Sequence, residues 1–332
     1  MRRCLVMTAL TVAVGAQLLV TSPSGAASGW RHSSSPRTRP PRILGVHPDL
    51  APGRGGTRIL VVGRGFASGT DITVGGRRAR VLVVRNPGAV FVIAPPGIGT
   101  EIVRARTAHG TSARNARSVL RYTSRVLVVG DSLGIDLGWG FTASLDAHDG
   151  LSTIDDAVGS SGLVRSDFYN WPAHLRADIV ATHPDIVVTL FGTNDQQGFE
   201  TPSGPVEPGT LAWDRIYAAR VRQIATIVHG AGATLAWVGL PRMGPRSSMD
   251  PQFVAHLIAL DRTVVARLRR ATFVNAWLVF TSASGAYTPY VEVAPRTWAV
   301  GHAPDDTHLT TAGATAVDAL VVEAIQRLLT RR

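Results

Sequence analysis

The apolar positions of the chain follow three patterns in turn. Residues 5–20 form an almost unbroken apolar stretch behind the charged start Met1-Arg2-Arg3. From residue 42 to residue 122 the apolar residues come in short β-branched runs punctuated by glycine, at 57–63, 71–74, 79–84, 89–94, 101–107 and 118–122. Runs of that length and spacing predict a small all-β sandwich. From residue 125 onward, continuous apolar runs alternate with longer stretches of helical period. Residues 125–129 (Arg-Val-Leu-Val-Val) and 185–191 (Asp-Ile-Val-Val-Thr-Leu-Phe) lack polar alternation, which suits strands buried on both faces of a parallel sheet. Further strands are predicted at 234–239, stopped by Pro241, and at 271–277. Helices are predicted at 134–148, at 171–182 with Asn170 as cap and Pro172 in the first turn, at 211–230, at 250–270, and at 310–329 with Thr310 or Thr311 as cap. Alternating strands and helices give a parallel sheet covered on both faces, so the fold class expected here is α/β, preceded by the sandwich.

The start of the chain changes where the protein is expected to work. A charged n-region, the apolar stretch and the small residues Ser24-Gly25-Ala26-Ala27-Ser28 make the layout of a secretory signal peptide cleaved near Ala27. A retained anchor is the alternative, because the stretch is near the lower length limit for a span. Cleavage would leave no stable transmembrane span and a secreted or envelope-associated bacterial protein. Cys4, the only cysteine, lies in this leader and lacks the Leu-x-x-Cys setting of a lipoprotein. The mature chain would then have no disulfide, no thiolate metal site and no cysteine nucleophile. Residues rich in Ser, Pro and Arg follow as a flexible linker. The expected division is a leader at 1–27, a linker at 28–41, a sandwich at 42–123 and an α/β domain at 124–332.

Charge separates the last two parts. Residues 29–124 carry 16 Arg against 3 acids, a net +13, whereas residues 125–332 carry 16 Arg against 20 acids, a net −4. A basic front segment outside the cell suits an anionic cell-envelope polymer or acidic lipid as partner. No nucleic-acid recognition motif accompanies it, and no nucleic acid is expected. The alternative is a solvated spacer whose arginines reflect genome composition.

Four short segments of the α/β part carry the candidate chemistry: Gly130-Asp131-Ser132-Leu133, Ser161-Gly162, Gly192-Thr193-Asn194-Asp195 and Asp305-Asp306-Thr307-His308. A serine hydroxyl is a weak nucleophile until an imidazole takes its proton, and that imidazole needs a carboxylate to fix its tautomer. Ser132, His308 and Asp305 can fill these roles. Acyl transfer also needs donors aimed at the developing oxyanion, for which the Ser132 amide, the Gly162 amide and the Asn194 side chain are candidates. Ser132 follows one predicted strand and Asn194 another, so both arrive at the carboxyl edge of the sheet, where open α/β sheets bind their ligands.

In these blocks residues 125–332 resemble the SGNH, or GDSL-type, hydrolase superfamily. The four residues that name the superfamily correspond to Ser132, Gly162, Asn194 and His308, and its Asp-x-x-His element to Asp305–His308. The resemblance implies a three-layer α/β/α, flavodoxin-like domain and ester or acyl chemistry without a metal or other cofactor. In Gly159-Ser160-Ser161-Gly162 the glycine following serine is the better match, with Gly159 as the alternative. Residues 42–123 resemble the IPT/TIG immunoglobulin-like domains through Ile43-Leu44-Gly45-Val46-His47-Pro48, Gly55-Gly56-Thr57, Gly63-Arg64-Gly65-Phe66, Val74-Gly75-Gly76, Ala94-Pro95-Pro96 and His109-Gly110-Thr111-Ser112. Such domains bind or space other modules.

Neighbouring residues receive plainer expectations. Asp131 is expected to hold its turn by local hydrogen bonds, and Asp306 to be solvated or capping. Of Trp139, Phe168, Tyr169, Trp171 and Trp298, most are expected in the core, with about two lining a substrate wall. Residues 198–210 and 281–304 are the expected specificity loops. Together these features predict a secreted serine esterase acting on acetyl or short-chain acyl esters of cell-envelope glycans or lipids. The alternatives are an SGNH-type O-acyltransferase acting on wall polysaccharide and a non-catalytic surface-binding protein.

Overall fold

A computed structural model describes residues 39–144 and 151–330. The expected leader, nearly all of the expected linker and the end of the helix predicted at 134–148 lie outside the described residues. The described residues form one compact unit with two hydrophobic cores.

The front core lies between two sheets. The strands are β1 (Arg42–His47), β2 (Leu50–Pro52), β3 (Arg58–Arg64), β4 (Asp71–Val74), β5 (Arg77–Arg78), β6 (Arg80–Asn86), β7 (Ala89–Ile93), β8 (Thr100–Thr107), β9 (Gly110–Thr111) and β10 (Val119–Gly130). One sheet runs β1-β3-β7-β6, and the other sets the first half of β10 beside β8, then β4 and β5. Both are antiparallel here except where β2 runs parallel to β10. Along β3 and β7, Ile59, Val61, Val90 and Val92 face inward and meet Ile72, Val74, Val103 and Leu120 of the opposite sheet. This period-two alternation is what a half-covered sheet requires.

β10 does not stop at the sandwich. Its second half becomes an interior strand of a parallel sheet with β11 (Leu151–Asp155), β12 (Ile186–Leu190), β13 (Thr234–Gly239) and β14 (Ala271–Asn275). The spatial order β11-β10-β12-β13-β14 places the first strand of this sheet between the second and third, the 2-1-3-4-5 order of flavodoxin-like folds. β12 and β13 are buried at every position, because helices cover both faces. Helix α1 (Ser132–Ser144) packs on α5 (Thr311–Thr330), while α2 (Trp171–Thr182), α3 (Leu211–Gly230) and α4 (Pro251–Val265) pack in succession. The domain therefore has three α/β/α layers. Ile98, from the loop between β7 and β8, is buried in this second core, so the cores share both a strand and a loop.

Local chemistry explains the helix limits. Asn170 caps α2 by accepting from Ala173 N, Thr210 caps α3 by accepting from Trp213 N, and Asp250 caps α4 by accepting from Gln252 N. Thr310 Oγ1 accepts from Gly313 N at the start of α5. Three expectations need correction. The helix predicted to reach residue 270 ends at Val265, because the chain must reverse into β14, which it does through Arg270 at a positive φ of 53°. The strand predicted to 277 ends at Asn275 and passes into a short 3-10 turn, Ala276–Phe280. Residues 281–304 are not one open loop, since they contain the hairpin β15 (Tyr290–Ala294) and β16 (Thr297–Val300).

Candidate active site

The parallel order makes β10 and β12 the point where consecutive strands leave the sheet in opposite directions, the position where such folds open a crevice. Register pairs Gly130 with Leu190, so the turns that follow the two strands lie side by side. Gly130 is required here: a Cβ on it would come within 2.1 Å of Leu190 O. Asp131 ties the turns together. Its Oδ1 accepts from Leu133 N at 3.0 Å, and its Oδ2 accepts from Gly192 N at 3.0 Å and Thr193 N at 2.9 Å. The expectation of purely local bonding is thus corrected: this fully buried carboxylate bridges two strands. Burial raises its pKa, and the hydrogen bonds from Thr193, Leu133 and Gly192 oppose the rise.

Ser132 opens α1, two residues earlier than predicted. His308 Nε2 lies 2.9 Å from Ser132 Oγ, and His308 Nδ1 lies 2.6 Å from Asp305 Oδ2. Three sequence-predicted side chains, 176 residues apart at the extremes, therefore form one continuous chain of hydrogen-bonding groups. Asp305 also orders its own turn, because Oδ1 accepts from Thr307 N and His308 N, both at 3.0 Å. Burial pushes its carboxyl up, but the His308 side chain and these two amides outweigh that and hold its pKa at about 2. The His308 and Asp305 side chains are 41% and 49% exposed, so the pair opens to solvent.

The residues around His308 are fixed from several sides. Asp136, on α1 one turn after Ser132, accepts from Leu309 N at 2.8 Å. The buried His302 ring lies between the carbonyls of His308, at 3.2 Å, and Arg242, at 3.0 Å. Asp306 is the clearest correction. Rather than being solvated or capping, it is 2% exposed, with Arg246 Nη2 donating to Oδ1 at 2.6 Å, Arg246 N to Oδ2 at 3.1 Å and the Tyr287 hydroxyl to Oδ1 at 3.2 Å. A φ of 57° turns its side chain away from Asp305 and into the protein, so the two adjacent acids separate in role.

Asn194 follows β12 and donates through Nδ2 to Ser161 O at 2.9 Å and to Thr193 Oγ1 at 3.3 Å. It therefore touches the peptide that joins Ser161 to Gly162. Among the described residues, none accepts a hydrogen bond from the Ser132 or Gly162 amide. The Ser161 side chain is anchored below, accepting from Trp171 Nε1 at 3.0 Å and donating to Val158 O at 2.6 Å. Asp195 fixes the far side of this block by accepting from Val164 N at 2.9 Å and from the Tyr217 hydroxyl at 3.0 Å. Burial moves its pKa up to about 6. A Cβ on Gly162 would lie 2.3 Å from Asp195 Oδ1, whereas one on Gly159 would meet only Ile135 at 3.9 Å. Close packing thus demands glycine at 162 and not at 159.

Sequence reasoning missed Asp136, Asp195 and Trp171 as supports of the site. Asp195 closes the Gly-Thr-Asn-Asp block, and Asp136 lies one helical turn after Ser132, so spacing could have marked both. The aromatic expectation is also corrected: only Trp171 of the five is fully buried, while Trp139, Phe168 and Trp298 are 58%, 54% and 61% exposed. They stand on α1, on the loop after Gly162 and on β16, respectively. Among the described residues, no group of three or more His, Cys, Asp or Glu side chains is placed to hold a metal ion.

Residues 125–324 match the family model described as Protein of unknown function (DUF459), and residues 41–118 match the IPT/TIG domain. No curated protein matches the chain. Among solved structures, a mutant of an acetyl-xylooligosaccharide esterase from Geobacillus is 14% identical, with a TM-score of 0.43 over 62% of this chain and 95% of that one. A GDSL-like lipase from Bacteroides thetaiotaomicron is 16% identical, with a TM-score of 0.42 over 61% of this chain and 88% of that one.

Proposed function

The chain belongs to the family described as Protein of unknown function (DUF459), and from that premise we propose that it is a secreted serine esterase that hydrolyses acetyl or short-chain acyl esters of cell-envelope glycans or lipids. The observation that carries this reading is the unbroken Ser132–His308–Asp305 contact, at 2.9 and 2.6 Å. In the proposed reaction His308 Nε2 takes the Ser132 proton as Oγ attacks the acyl carbon. Asp305 holds the Nδ1 proton and steadies the imidazolium. The negative charge on the former carbonyl oxygen is met by the Ser132 and Gly162 amides and by Asn194 Nδ2, which gives up its bond to Thr193. His308 then donates its proton to the leaving alcohol. Water, deprotonated by the same imidazole, attacks the acyl-serine, and the imidazolium returns that proton to Ser132 Oγ as the acid is released.

The half-exposed pair and the three exposed aromatic side chains on neighbouring elements support a large or polymeric substrate. An indole or phenyl face left in water suits stacking on a sugar ring. The basic front segment supports attachment to anionic envelope material. Secretion rests on the leader composition alone.

Hydrolysis of p-nitrophenyl acetate, octanoate and palmitate beside a Ser132→Ala control tests the reading. Turnover of acetate that falls about four orders of magnitude in the variant, with unchanged thermal stability, is the expected result. Equal turnover in both proteins would overturn it. Transfer of the acetyl group to an added oligosaccharide in preference to water would favour the O-acyltransferase, which uses the same side chains.

A further inference from the structure

Among the described residues, no layer covers the outer face of one sheet of the sandwich. On the sheet β1-β3-β7-β6 the inward side chains form the front core, and cross-strand register fixes what lies on the other side. At one end Arg58 and Arg80 flank Ile93. In the middle Leu60, Phe91 and Val83 stand in a row, and at the other end Arg42 pairs with Arg64. The Arg58 guanidinium lies over the Phe91 ring, 4.5 Å from its centre. Edge strand β6 bulges twice, and Leu82 and Val83 on it are 41% and 46% exposed.

Charge on this sheet has a single sign. Its four strands contain five arginines (Arg42, Arg58, Arg64, Arg80 and Arg85) and no Asp or Glu. Among the described residues none of the five is ion-paired. An apolar strip bordered at both ends by free guanidinium groups is what an interfacial surface needs: side chains that enter the headgroup region, and cations that stay at the depth of the phosphates. A soluble polyanion would engage the arginines but leave the strip wet. A second copy laid face to face would set arginine against arginine. The chain before the sandwich has no acid ahead of Asp49, so it does not complement the face either.

We propose that this face docks the protein on an anionic lipid bilayer, with Leu82 and Val83 entering the interface and the bordering arginines paired with lipid phosphates. The docking is independent of the catalytic reading.

The test is a lipid titration of the full-length chain with sedimenting vesicles, of phosphatidylcholine alone and with one-third phosphatidylglycerol. The leader is common to every protein compared, so the increment due to phosphatidylglycerol and its loss in variants carry the information. Arg58→Ser/Arg80→Ser should raise the lipid concentration for half-binding about 25-fold on the anionic vesicles, at about fivefold for each arginine. Leu82→Asn/Val83→Asn should raise it about fivefold. An unchanged urea-denaturation midpoint would show that both variants are folded. No increment from phosphatidylglycerol would overturn the proposal. So would an increment that the arginine variant loses and the Leu82/Val83 variant keeps, which would point to an anionic polymer contact instead.

Discussion

The two regions built on β10 treat their strands in opposite ways. In the α/β region β12 and β13 are buried at every residue, and helices leave only the strand ends free. In the sandwich, strands β3 and β7 bury every second residue and leave the alternate ones on an open face. The difference separates two kinds of work. Strand ends position a few side chains to within a hydrogen bond, as Ser132 and Asn194 show, whereas an open sheet face presents a broad surface of one charge. Net charge follows the same division, with +13 over residues 29–124 and −4 over residues 125–332.

If the chemistry belongs only to the strand ends, Asp305→Asn should lower kcat about a hundredfold or more, because the imidazole loses the partner that fixes its tautomer. The same variant has a pH signature. The folded pKa of Asp305 is depressed, from an ordinary 3.8 to about 2, so the stability it contributes is complete above the ordinary value and is lost as pH falls toward 2. The stability deficit of Asp305→Asn in urea should therefore be constant at neutral pH and vanish between about pH 4 and pH 2.

The shared strand can be probed from both sides. Asp131→Ala strands three amides that a buried carboxylate satisfies, and it should cost about 3 kcal/mol in urea denaturation. Ile59→Ala in the front core should cost about 2–4 kcal/mol while leaving kcat unchanged below the transition. Because β10 and Ile98 join the two cores, Ile59→Ala should shift a single transition; two separate transitions would show that the regions unfold independently.

The smallest expected effect is Asp178→Asn on α2. Burial and the adjacent Asp156 move the Asp178 pKa up to about 7, so the folded state holds an extra proton between about pH 4 and 7 and loses stability as pH rises through that window. The variant should melt about 2 °C higher than the parent at pH 8 and show no gain near pH 4.

Legibility in the sequence divided along physical lines. The runs at 125–129 and 185–191 were readable because strands buried on both faces cannot afford polar residues. Helix α2 was readable from its cap, Asn170, and α3 from its long stretch of helical period, whereas the capping of α3 by Thr210 emerges only in the structure. β11 was missed because Leu-Ser-Thr-Ile-Asp is an edge strand with few apolar positions, and its pairing depends on β10, far away in sequence. β15 and β16 were missed because Ala-Pro-Arg-Thr at their turn reads as loop composition. Ser132, His308 and Asp305 were legible from residue type and order. The burial of Asp306 was not, since it depends on Arg246 and Tyr287 arriving from separate loops.

The central claim is that Ser132 is an activated nucleophile, and covalent labelling tests it most directly. The protein would be incubated with a fluorophosphonate and examined by intact mass and peptide mapping, beside His308→Gln. One adduct, on Ser132, that forms at least a hundredfold more slowly in the variant is the predicted result. No adduct, or an adduct on Ser132 that forms equally fast without His308, would contradict the account.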